Sequence, residues 1–277
     1  MPPIVLRRQK ERLIYSLAGF SVSEEFSAFV AKFKNMTGID LGHYNQAQVF
    51  RRLSAFRHKH GFSTLQELSN KLQLDEDLLQ SCLKRLTINV TEFFRDRAYW
   101  DILRSNISDL ARERMPLRIW SAGCASGEEA YSLSYMLSSM LPKNCWVLMA
   151  SDLDANVLAA AKAGLFTEKA LKGLEPDQIN LMFTRTGELY GVKPRLQERV
   201  NFFQHDLLQD IYPSALDVIL CRNVIIYFNE KAKKTVLAKL ARALNPGGIL
   251  FLGGSEQIMA PEEFGLTKEN VYFYRKK

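Results

Sequence analysis

The chain has 277 residues, of which 47% are hydrophobic, and it carries a formal net charge of +7. This length supports one large domain, or a moderate domain with a small companion, around a substantial core. The four cysteines are scattered, with no CxxC pair and no histidine at metal-ligand spacing, which argues against a metal site and is typical of reduced thiols. No stretch is long enough to cross a membrane, and the N-terminus lacks the apolar run of a signal peptide, so we expect a cytoplasmic protein without membrane insertion.

The N-terminal third of the sequence has the pattern of a small helical domain. Apolar residues recur three and four apart in SEEFSAFVAKFKNMTG, YNQAQVFRRLSAFRHKHG, STLQELSNKLQ and EDLLQSCLKRL, with glycines or polar residues between these stretches. We therefore predict an N-terminal helical domain over residues 1–86, in which residues 1–20 form an extension of unassigned role.

Positive charge is concentrated in this predicted domain. Residues 1–86 contain 13 Lys and Arg against 8 Asp and Glu, and residues 41–66 contain no acid. The second predicted helix would bury Val49, Leu53 and Phe56 on one face. Its opposite face and flank then form a basic arc that consists of Arg51, Arg52, Arg57 and Lys59.

After a joining segment and first helix at residues 87–116, the pattern becomes that of an α/β domain over residues 117–277. Near-continuous apolar runs typical of buried strands, such as LRIWSAG, alternate with helical stretches such as EEAYSLSYMLSSML. This alternation predicts a mostly parallel sheet with helices on both faces. The final run, VYFYRKK, follows its predecessor without a clear helix and predicts an antiparallel edge strand.

Residues 165–198 interrupt this alternation, between the second helix and the third strand of the predicted sheet. The stretch LMFTRTGELYGVKPRL predicts a β-hairpin around Thr186-Gly187-Glu188. We therefore interpret residues 165–198 as a small inserted antiparallel β-subdomain.

The loop in RIWSAGCASGEE follows the first predicted strand, at the sheet edge where α/β folds bind ligands. Gly123 and Gly127 are spaced GxxxG, which differs from GxGxxG, and two acids follow them, so a diphosphate is not expected. Asp152 follows the second strand, where a carboxylate can accept hydrogen bonds from both hydroxyls of a ribose. The expected ligand is therefore a ribose compound without a diphosphate.

S-adenosylmethionine meets these conditions, because it carries a ribose, an ammonium group and a positive sulfonium. Glu129 would meet the ammonium, and the backbone at Gly123 would let the methionyl portion approach closely. The residues alone leave two alternatives open. Glu128 and Glu129 could complement the dipole of their helix, and Asp152 could cap the next helix.

Six motifs in order give the sequence a specific resemblance. TINVTEFFRD, RIWSAGCASGEEAYSL, SDLD, HDLL, CRNVIIYF and GGSE follow one another, and the chain from about residue 24 resembles the CheR-type chemotaxis receptor methyltransferases. The resemblance implies a Rossmann-like class I S-adenosylmethionine methyltransferase sheet with an N-terminal helical domain and an inserted β-subdomain. It also implies methyl transfer to glutamate side chains on cytoplasmic helices of a chemoreceptor, giving glutamyl methyl esters and S-adenosylhomocysteine.

The resemblance extends to the residues that contact the cofactor. The positions that match are Asn89, Thr91, Arg95, Glu129, Asp152, Asp206, Leu207, Arg222 and Asn223. Asp206 stands where many relatives have asparagine, so a contact through its backbone is expected in place of a side-chain amide contact. The alternatives are that Asn89 and Thr91 cap a helix, and that Phe93 and Phe94 pack between the domains.

Arg95 and Tyr227 are the candidates for a catalytic role. The guanidinium of Arg95 could orient an acceptor carboxylate through two hydrogen bonds. Tyr227 could close the methyl-transfer pocket, although a tyrosine at a strand end often only packs. A glutamate acceptor is ionised at neutral pH and needs no general base, which agrees with the lack of an obvious catalytic pair among the four histidines.

By the resemblance, the basic arc would bind an acidic methylation helix of the receptor. We also expect the enzyme to act as a monomer. A merely solvated helix face is the alternative for any one of these residues. Nucleic acid is not expected, because the arc lacks interleaved exposed aromatics and belongs to an element that the resemblance covers. A methyltransferase acting on RNA or a small molecule, and a non-catalytic cofactor-binding adaptor, remain as other functions.

The resemblance also bears on how the receptor is held, because some relatives bind a C-terminal receptor peptide with the β-subdomain. The loop TRTGELYGVKPR is shorter than theirs, so we predict an enzyme that is independent of such a tether.

Overall fold

The computed structural model describes residues 24–87 and 91–277, and the chain divides into two compact units. Unit 1 holds the N-terminal segment up to residue 88 together with residues 227–232. Unit 2 holds residues 89–226 and 233–277. Within the described residues, no helix is long and apolar enough to cross a membrane.

Unit 1 is helical in its described part, as the spacing of its apolar residues predicts. Its elements are α1 (Glu24–Thr37), a 3-10 turn (Leu41–His43), α2 (Gln46–Lys59), α3 (Leu65–Leu72) and α4 (Glu76–Leu86). Polar side chains cap the starts of these helices, since Asn45 accepts a hydrogen bond from the backbone of Gln48 and Thr64 forms a capping box with Glu67. The core contains Phe26, Phe29, Phe33, Val49, Leu53, Phe56, Leu65 and Leu68.

Unit 2 is built on a seven-stranded sheet. Its strands are β1 (Leu117–Ala122), β2 (Trp146–Asp152), β6 (Val200–Gln204), β7 (Leu216–Cys221), β8 (Leu244–Leu252), β9 (Leu266–Lys268) and β10 (Phe273–Lys276). The order across the sheet is β6-β2-β1-β7-β8-β10-β9. The pairs β6–β2, β2–β1, β1–β7 and β7–β8 are all parallel, which confirms the predicted Rossmann-like sheet.

The far edge of the sheet differs in one detail from the sequence-based prediction. The last strand, β10, runs antiparallel to β8 as predicted, but β9 pairs with its other side and forms the edge. β9 has only three residues, too few for a pattern of hydrophobic periodicity to reveal it.

Helices connect the strands of unit 2. They are α5 (Ala98–Glu113), α6 (Glu128–Met140), α7 (Ala155–Ala163) and α10 (Glu230–Ala243), whose residues from 233 onward belong to this unit. The helix α6 is buried along most of its length, including Tyr131, Leu133 and Leu137. The hydrophobic core covers the parallel strands, and this is why their sequences are nearly continuous apolar runs.

The inserted segment forms a small antiparallel sheet, as predicted. Its strands β3 (Leu165–Thr167), β4 (Phe183–Thr186) and β5 (Leu189–Val192) are arranged in the order β3-β5-β4, and two short helices, α8 (Pro176–Met182) and α9 (Pro194–Gln197), accompany them. The hairpin joining β4 and β5 turns at Gly187 and Glu188, where Gly187 has a φ of 63°. A positive φ at this position explains why the turn contains glycine.

Candidate functional site

The predicted cofactor residues of unit 2 follow the carboxyl ends of neighbouring strands. Gly123 follows β1, Asp152 ends β2, Asp206 follows β6 and Arg222 follows β7. Because the four strands are adjacent and parallel, these residues lie along one edge of the sheet. The tertiary structure thereby brings Gly123 and Arg222 to the same edge, although they are 99 positions apart in the sequence.

The loop after β1 is held against the loops beside it. The backbone N–H groups of Gly123 and Cys124 both donate to the carbonyl of Ser151, at 2.8 and 2.9 Å. Gly123 has a φ of 85°, and a Cβ there would lie 2.4 Å from Cγ2 of Val224. Val224 therefore occupies the space where a Cβ of residue 123 would lie. The reason for glycine that the structure gives is close packing of two loops, and the approach of a ligand to this backbone stays a prediction.

Asp152 anchors the same loop from the neighbouring strand. Its Oδ2 accepts a hydrogen bond from the backbone N–H of Ala125 at 2.9 Å, and its Oδ1 accepts one from the N–H of Asp154 at 3.1 Å. Burial raises the pKa of the Asp152 carboxyl. The cap of α7 is Asp154, whose side chain accepts from Asn156, so the alternative that Asp152 caps this helix is wrong.

Glu129, in the first turn of α6, is shared between two partners. Its Oε1 accepts a hydrogen bond from the hydroxyl of Ser121 at 2.7 Å, and its Oε2 lies 3.3 Å from Nη1 of Arg222. Each carboxylate oxygen has a second lone pair, so Glu129 keeps the capacity to accept from an ammonium group. Ser121 was not a predicted site residue, because a serine inside a buried strand gives no signal of its own in the sequence.

The Arg222 side chain is the buried centre of this charged cluster. Only 2% of it is exposed, and its Nη2 lies 2.6 Å from Oδ2 of Asp96 and 3.1 Å from the carbonyl oxygen of Arg95. The guanidinium also lies over the ring of Phe251, 4.6 Å from its centroid. Arg222 therefore connects the β7 end to α6 and to the segment that carries Arg95.

The segment from Thr91 to Arg97 packs within unit 2. The ring of Phe93 contacts Phe166 and Phe183, and the ring of Phe94 contacts Trp100 and Tyr135. These contacts all lie inside unit 2, and the expected packing between the domains stays a prediction. Both rings contribute to the core of unit 2 because the inserted subdomain and α5 lie beside this segment.

The alternative that this segment provides a helix cap does not hold for Thr91. The helix α5 begins after Arg97 without a side-chain cap, so Thr91 does not cap it. Asn89 lies outside the described residues. Thr91 lines a cleft of about 470 Å³ between this segment and residues 167–173 of the inserted subdomain.

Asp206 and Leu207 follow β6 in a tight turn. The carboxylate of Asp206 accepts from the backbone N–H of Leu208 at 2.7 Å and from the side-chain amide of Gln209 at 2.8 Å. Leu207 is buried, with its carbonyl accepting from the hydroxyl of Tyr212. The side chain of Asp206 is thus used to form the turn. Its backbone N–H donates to Oδ2 of Asp210 and its carbonyl accepts from the N–H of Asp210, so the expected contact to a ligand through the backbone stays a prediction.

Glu256, the acid of the GGSE motif, is a site residue to which the sequence pattern alone assigns no role. Its buried carboxylate accepts from the backbone N–H groups of Asn223, Val224 and Gly253 at 2.6, 2.8 and 2.8 Å. Burial raises the pKa of Glu256. Because an acid in the final quarter of the chain holds the loop after β7, only the tertiary structure identifies its role.

Asn223 presents an oxygen without a partner. The backbone of Asn223 has a φ of 58°. The side-chain Oδ1 of Asn223 is shielded from solvent and accepts no hydrogen bond among the described residues. A buried acceptor of this kind normally has a donor, so it fits a ligand that brings one. Together with the carboxylates of Glu129 and Asp152, this set of acceptors fits the donor groups of S-adenosylmethionine, which are its ammonium, its ribose hydroxyls and its adenine amino group.

His205 is buried beside Trp120 and Tyr212, with its ring 5.2 Å from each of theirs. Burial lowers its pKa, which favours the neutral imidazole. Its Nε2 has no hydrogen-bond partner among the described residues. The aromatic packing makes His205 a structural residue in this arrangement, consistent with a site that does not use a histidine base.

Unit 1 contains the predicted substrate residues and Tyr227. Arg51 and Lys59 are exposed on α2, whereas Arg52 is half-buried and donates to the carbonyl of Leu86 at 2.7 Å. The guanidinium of Arg52 also lies 4.9 Å from the ring centroid of Tyr227, and Arg57 donates to the carbonyl of Ser63 at 2.8 Å. The expected exposed flank at Arg52 is therefore wrong, because its guanidinium is used inside the unit.

Tyr227 ends a short 3-10 turn (Ile225–Tyr227) and is not at a strand end. Its carbonyl accepts a hydrogen bond from the backbone N–H of Asn45 at 2.8 Å. Its ring lines a small cavity with Tyr44, Val49 and Arg52 in unit 1. The contacts of Tyr227 inside this unit are structural, and its role at the methyl-transfer pocket stays a prediction.

Comparison with known proteins identifies both parts of the chain. The family described as CheR methyltransferase, SAM binding domain matches residues 89–273, and the one described as CheR methyltransferase, all-alpha domain matches residues 24–87. A chemotaxis protein methyltransferase from Listeria monocytogenes serovar 1/2a is 36% identical over 257 residues, which cover 92% of this chain and 98% of that protein. Chemotaxis protein methyltransferase 1 from Pseudomonas aeruginosa is 34% identical, covering 86% of this chain and 92% of that protein. The chemotaxis protein methyltransferase of Escherichia coli K12 is also 34% identical, covering 85% of each chain.

Proposed function

Because this chain belongs to the CheR methyltransferase family, we propose that it methylates glutamate side chains of chemoreceptors, using S-adenosylmethionine as the methyl donor. Methyl transfer from S-adenosylmethionine in chemotaxis follows from the family. The glutamate acceptor, the receptor helix and the site residues are our proposal. The products would be a γ-glutamyl methyl ester and S-adenosylhomocysteine.

The observation that supports this proposal best is a pair of carboxylates near the carboxyl ends of adjacent strands. Asp152 ends β2, Glu129 lies in the first turn of the helix that follows β1, and the partnerless oxygen of Asn223 lies on the loop after the next strand, β7. Asp152 would hold the ribose and Glu129 the ammonium group. S-adenosylmethionine, when bound, supplies a methyl group on a positive sulfonium, which a negative site attracts.

The remaining chemistry falls to residues that orient the acceptor. A glutamate carboxylate is ionised at neutral pH and attacks the methyl carbon without losing a proton, so no general base is needed. His205 is held in an aromatic cluster and its pKa is lowered by burial, which agrees with such a mechanism. Arg95 would orient the acceptor carboxylate, and closure of the site would remove water from both charges.

Receptor binding would use the exposed part of the basic arc. Arg51 and Lys59 are exposed on α2 and suit an acidic methylation helix. Arg52 would contribute by holding the end of α4 and the ring of Tyr227 in place, because it is half-buried. We propose that the enzyme acts in the cytoplasm as a monomer, without a receptor tether bound to the β4–β5 hairpin.

The test is transfer of a labelled methyl group from S-adenosylmethionine to the cytoplasmic fragment of a chemoreceptor. We expect label in the receptor that is released as methanol by mild base, the property of a methyl ester. A receptor whose acceptor glutamates are replaced by alanine serves as the control and should stay unlabelled. Base-stable label, or label only in RNA or a small metabolite, would contradict the proposed acceptor, and cofactor binding without transfer would indicate an adaptor.

A further inference from the structure

One guanidinium holds carboxylates from two separate segments of unit 2. The side chain of Arg222 is only 2% exposed, and its Nη2 lies 2.6 Å from Oδ2 of Asp96 while its Nη1 lies 3.3 Å from Oε2 of Glu129. Asp96 is on the segment that carries Arg95, and Glu129 is at the proposed cofactor end of α6. A buried guanidinium with two anionic partners is a rigid connection between the two segments, since neither partner can leave without stranding charge.

The backbone around Arg95 adopts an unusual conformation. Phe94 and Asp96, the residues on either side of Arg95, have φ angles of 49° and 57°, in the left-handed region that residues with a Cβ rarely adopt. Such a backbone persists only where its surroundings hold it in place. Left-handed residues thus stand directly before and after Arg95. Their backbone geometry sets the direction in which the Arg95 side chain leaves the backbone.

Hydrogen bonds to neighbouring groups hold this backbone. The N–H of Phe94 donates to the hydroxyl of Ser132 at 3.0 Å. The carbonyl of Arg95 accepts from Nε1 of Trp100 at 2.9 Å and from Nη2 of Arg222 at 3.1 Å. The same Nη2 donates to Asp96, so the Asp96 carboxylate fixes the position of the nitrogen that holds the Arg95 carbonyl.

We propose that Asp96 is a positioning residue for methyl transfer, which acts through Arg222 to hold Arg95 in the orientation that the acceptor requires. This inference rests on the proposed function, because it assigns Arg95 to the acceptor carboxylate. The side chain of Asp96 is 43% exposed, and its ion pair with Arg222 connects it to the proposed site, so its effect is on orientation. Removal of its charge would leave Arg222 paired with Glu129 alone and the left-handed backbone held by fewer contacts.

The experiment compares Asp96→Asn with Asp96→Glu and with the matched control Asp101→Asn, an exposed acid in the first turn of α5. We expect Asp96→Asn to lower kcat for receptor methylation by tenfold or more and to change the Kd for S-adenosylmethionine by less than threefold. Asp96→Glu keeps the charge and should recover part of kcat. Asp101→Asn should match the wild-type protein in both quantities.

A double-mutant cycle with Arg95→Lys separates positioning from a general structural effect. If Asp96 acts through Arg95, the Asp96→Asn change should cost much less kcat in the Arg95→Lys background than in the wild-type background. Additive losses of kcat in the double mutant would overturn the inference, as would wild-type kcat in Asp96→Asn. A loss of kcat that is accompanied by a comparable loss of cofactor affinity and a lower melting temperature would also overturn it, because that result indicates general disruption of the fold. A wild-type protein that places no methyl group on the receptor contradicts the proposed function itself, and this result is distinct because it is measured before any variant.

Discussion

Gly123 and Val224 approach each other so closely that the loop after β1 has room only for glycine. A Cβ at residue 123 would lie 2.4 Å from Cγ2 of Val224, well inside the closest contacts that carbon atoms make. The φ of 85° at Gly123 is a second reason for glycine, since an L side chain is strained there. The two reasons can be separated by substitution, because one depends on Val224 and the other does not.

We expect Gly123→Ala to lower the free energy of unfolding by about 2 to 4 kcal/mol, the sum of left-handed strain and a packing clash. It should also weaken binding of S-adenosylmethionine, since the loop must move. Gly187→Ala is the matched control, because Gly187 has a φ of 63° but open space around it. Adding Val224→Ala to Gly123→Ala should relieve the clash between the two side chains and leave the backbone strain at residue 123. Equal destabilisation at Gly123 and Gly187, measured by urea unfolding, would show that the contact with Val224 has no energetic effect.

The charge of Asp152 should contribute to cofactor binding. We expect Asp152→Asn to weaken S-adenosylmethionine binding by about 1 to 3 kcal/mol, because the ribose hydroxyls lose a charge-assisted partner. Asparagine keeps an oxygen that can accept from Ala125, so the loop should stay in place. Titration calorimetry measures the affinity. Asp154→Asn is the control, because asparagine caps a helix as well as aspartate, and unchanged affinity in Asp152→Asn would remove the ribose assignment.

Substitution of Arg95 should separate cofactor binding from turnover. Arg95→Lys keeps a positive charge but loses the planar fork that holds a carboxylate through two hydrogen bonds. We expect kcat for receptor methylation to fall by roughly tenfold to a hundredfold, with a much smaller change in the Kd for the cofactor. Equal loss of both would assign Arg95 to the cofactor, and unchanged turnover would remove it from the site.

Reversal of charge on the exposed side of α2 should weaken receptor methylation. We expect Arg51→Glu with Lys59→Glu to lower kcat/KM for the receptor by about threefold to tenfold at low salt, with cofactor affinity unchanged. Arg52 is left intact because its guanidinium contacts Leu86 and Tyr227 within the unit. The wild-type rate should fall as salt is added, since exposed charges are screened beyond about 10 Å at 0.1 M ionic strength.

Lys84→Glu, on the exposed side of α4, is the matched charge reversal and should have a smaller effect. The same assay with a receptor that lacks its C-terminal tail tests the predicted independence from a tether. If the tail deletion abolishes methylation and the α2 reversals do nothing, the receptor is held elsewhere, and the basic arc has no part in binding.

The buried carboxyl of Glu128 should make stability depend on pH. Burial raises its pKa above the ordinary value of 4.5, although the hydroxyl of Ser126 donates to it at 2.7 Å. A raised folded-state pKa gives stability that is present below the unfolded pKa and is lost as pH rises through the folded value. Glu128→Gln lacks this loss, so its stability relative to the wild-type protein should increase from acid to neutral pH. Urea unfolding across that range measures it, and a difference that stays constant or decreases with pH contradicts the assignment.

The local patterns of the sequence determined which segments become helices and strands. The spacing of Val49, Leu53 and Phe56 is enough to place the buried face of α2, because helix periodicity is a property of neighbouring residues. The alternation of apolar runs with amphipathic helices determined the parallel sheet in the same way. Since such a sheet binds ligands at the carboxyl ends of its strands, the sequence also placed Gly123 and Asp152 on one edge.

The tertiary structure decided which side chains pair with each other. Arg222 lies 126 residues from Asp96 and 93 from Glu129, and no periodicity relates them. The carboxylate of Glu256 accepts a hydrogen bond from the backbone of Asn223, 33 residues away. The guanidinium of Arg52, which was expected on an exposed flank, donates to the carbonyl of Leu86. The physical reason is that strand order and loop packing bring these groups within hydrogen-bond distance, and a buried charge then takes whichever partner the fold supplies because an unpaired one is costly.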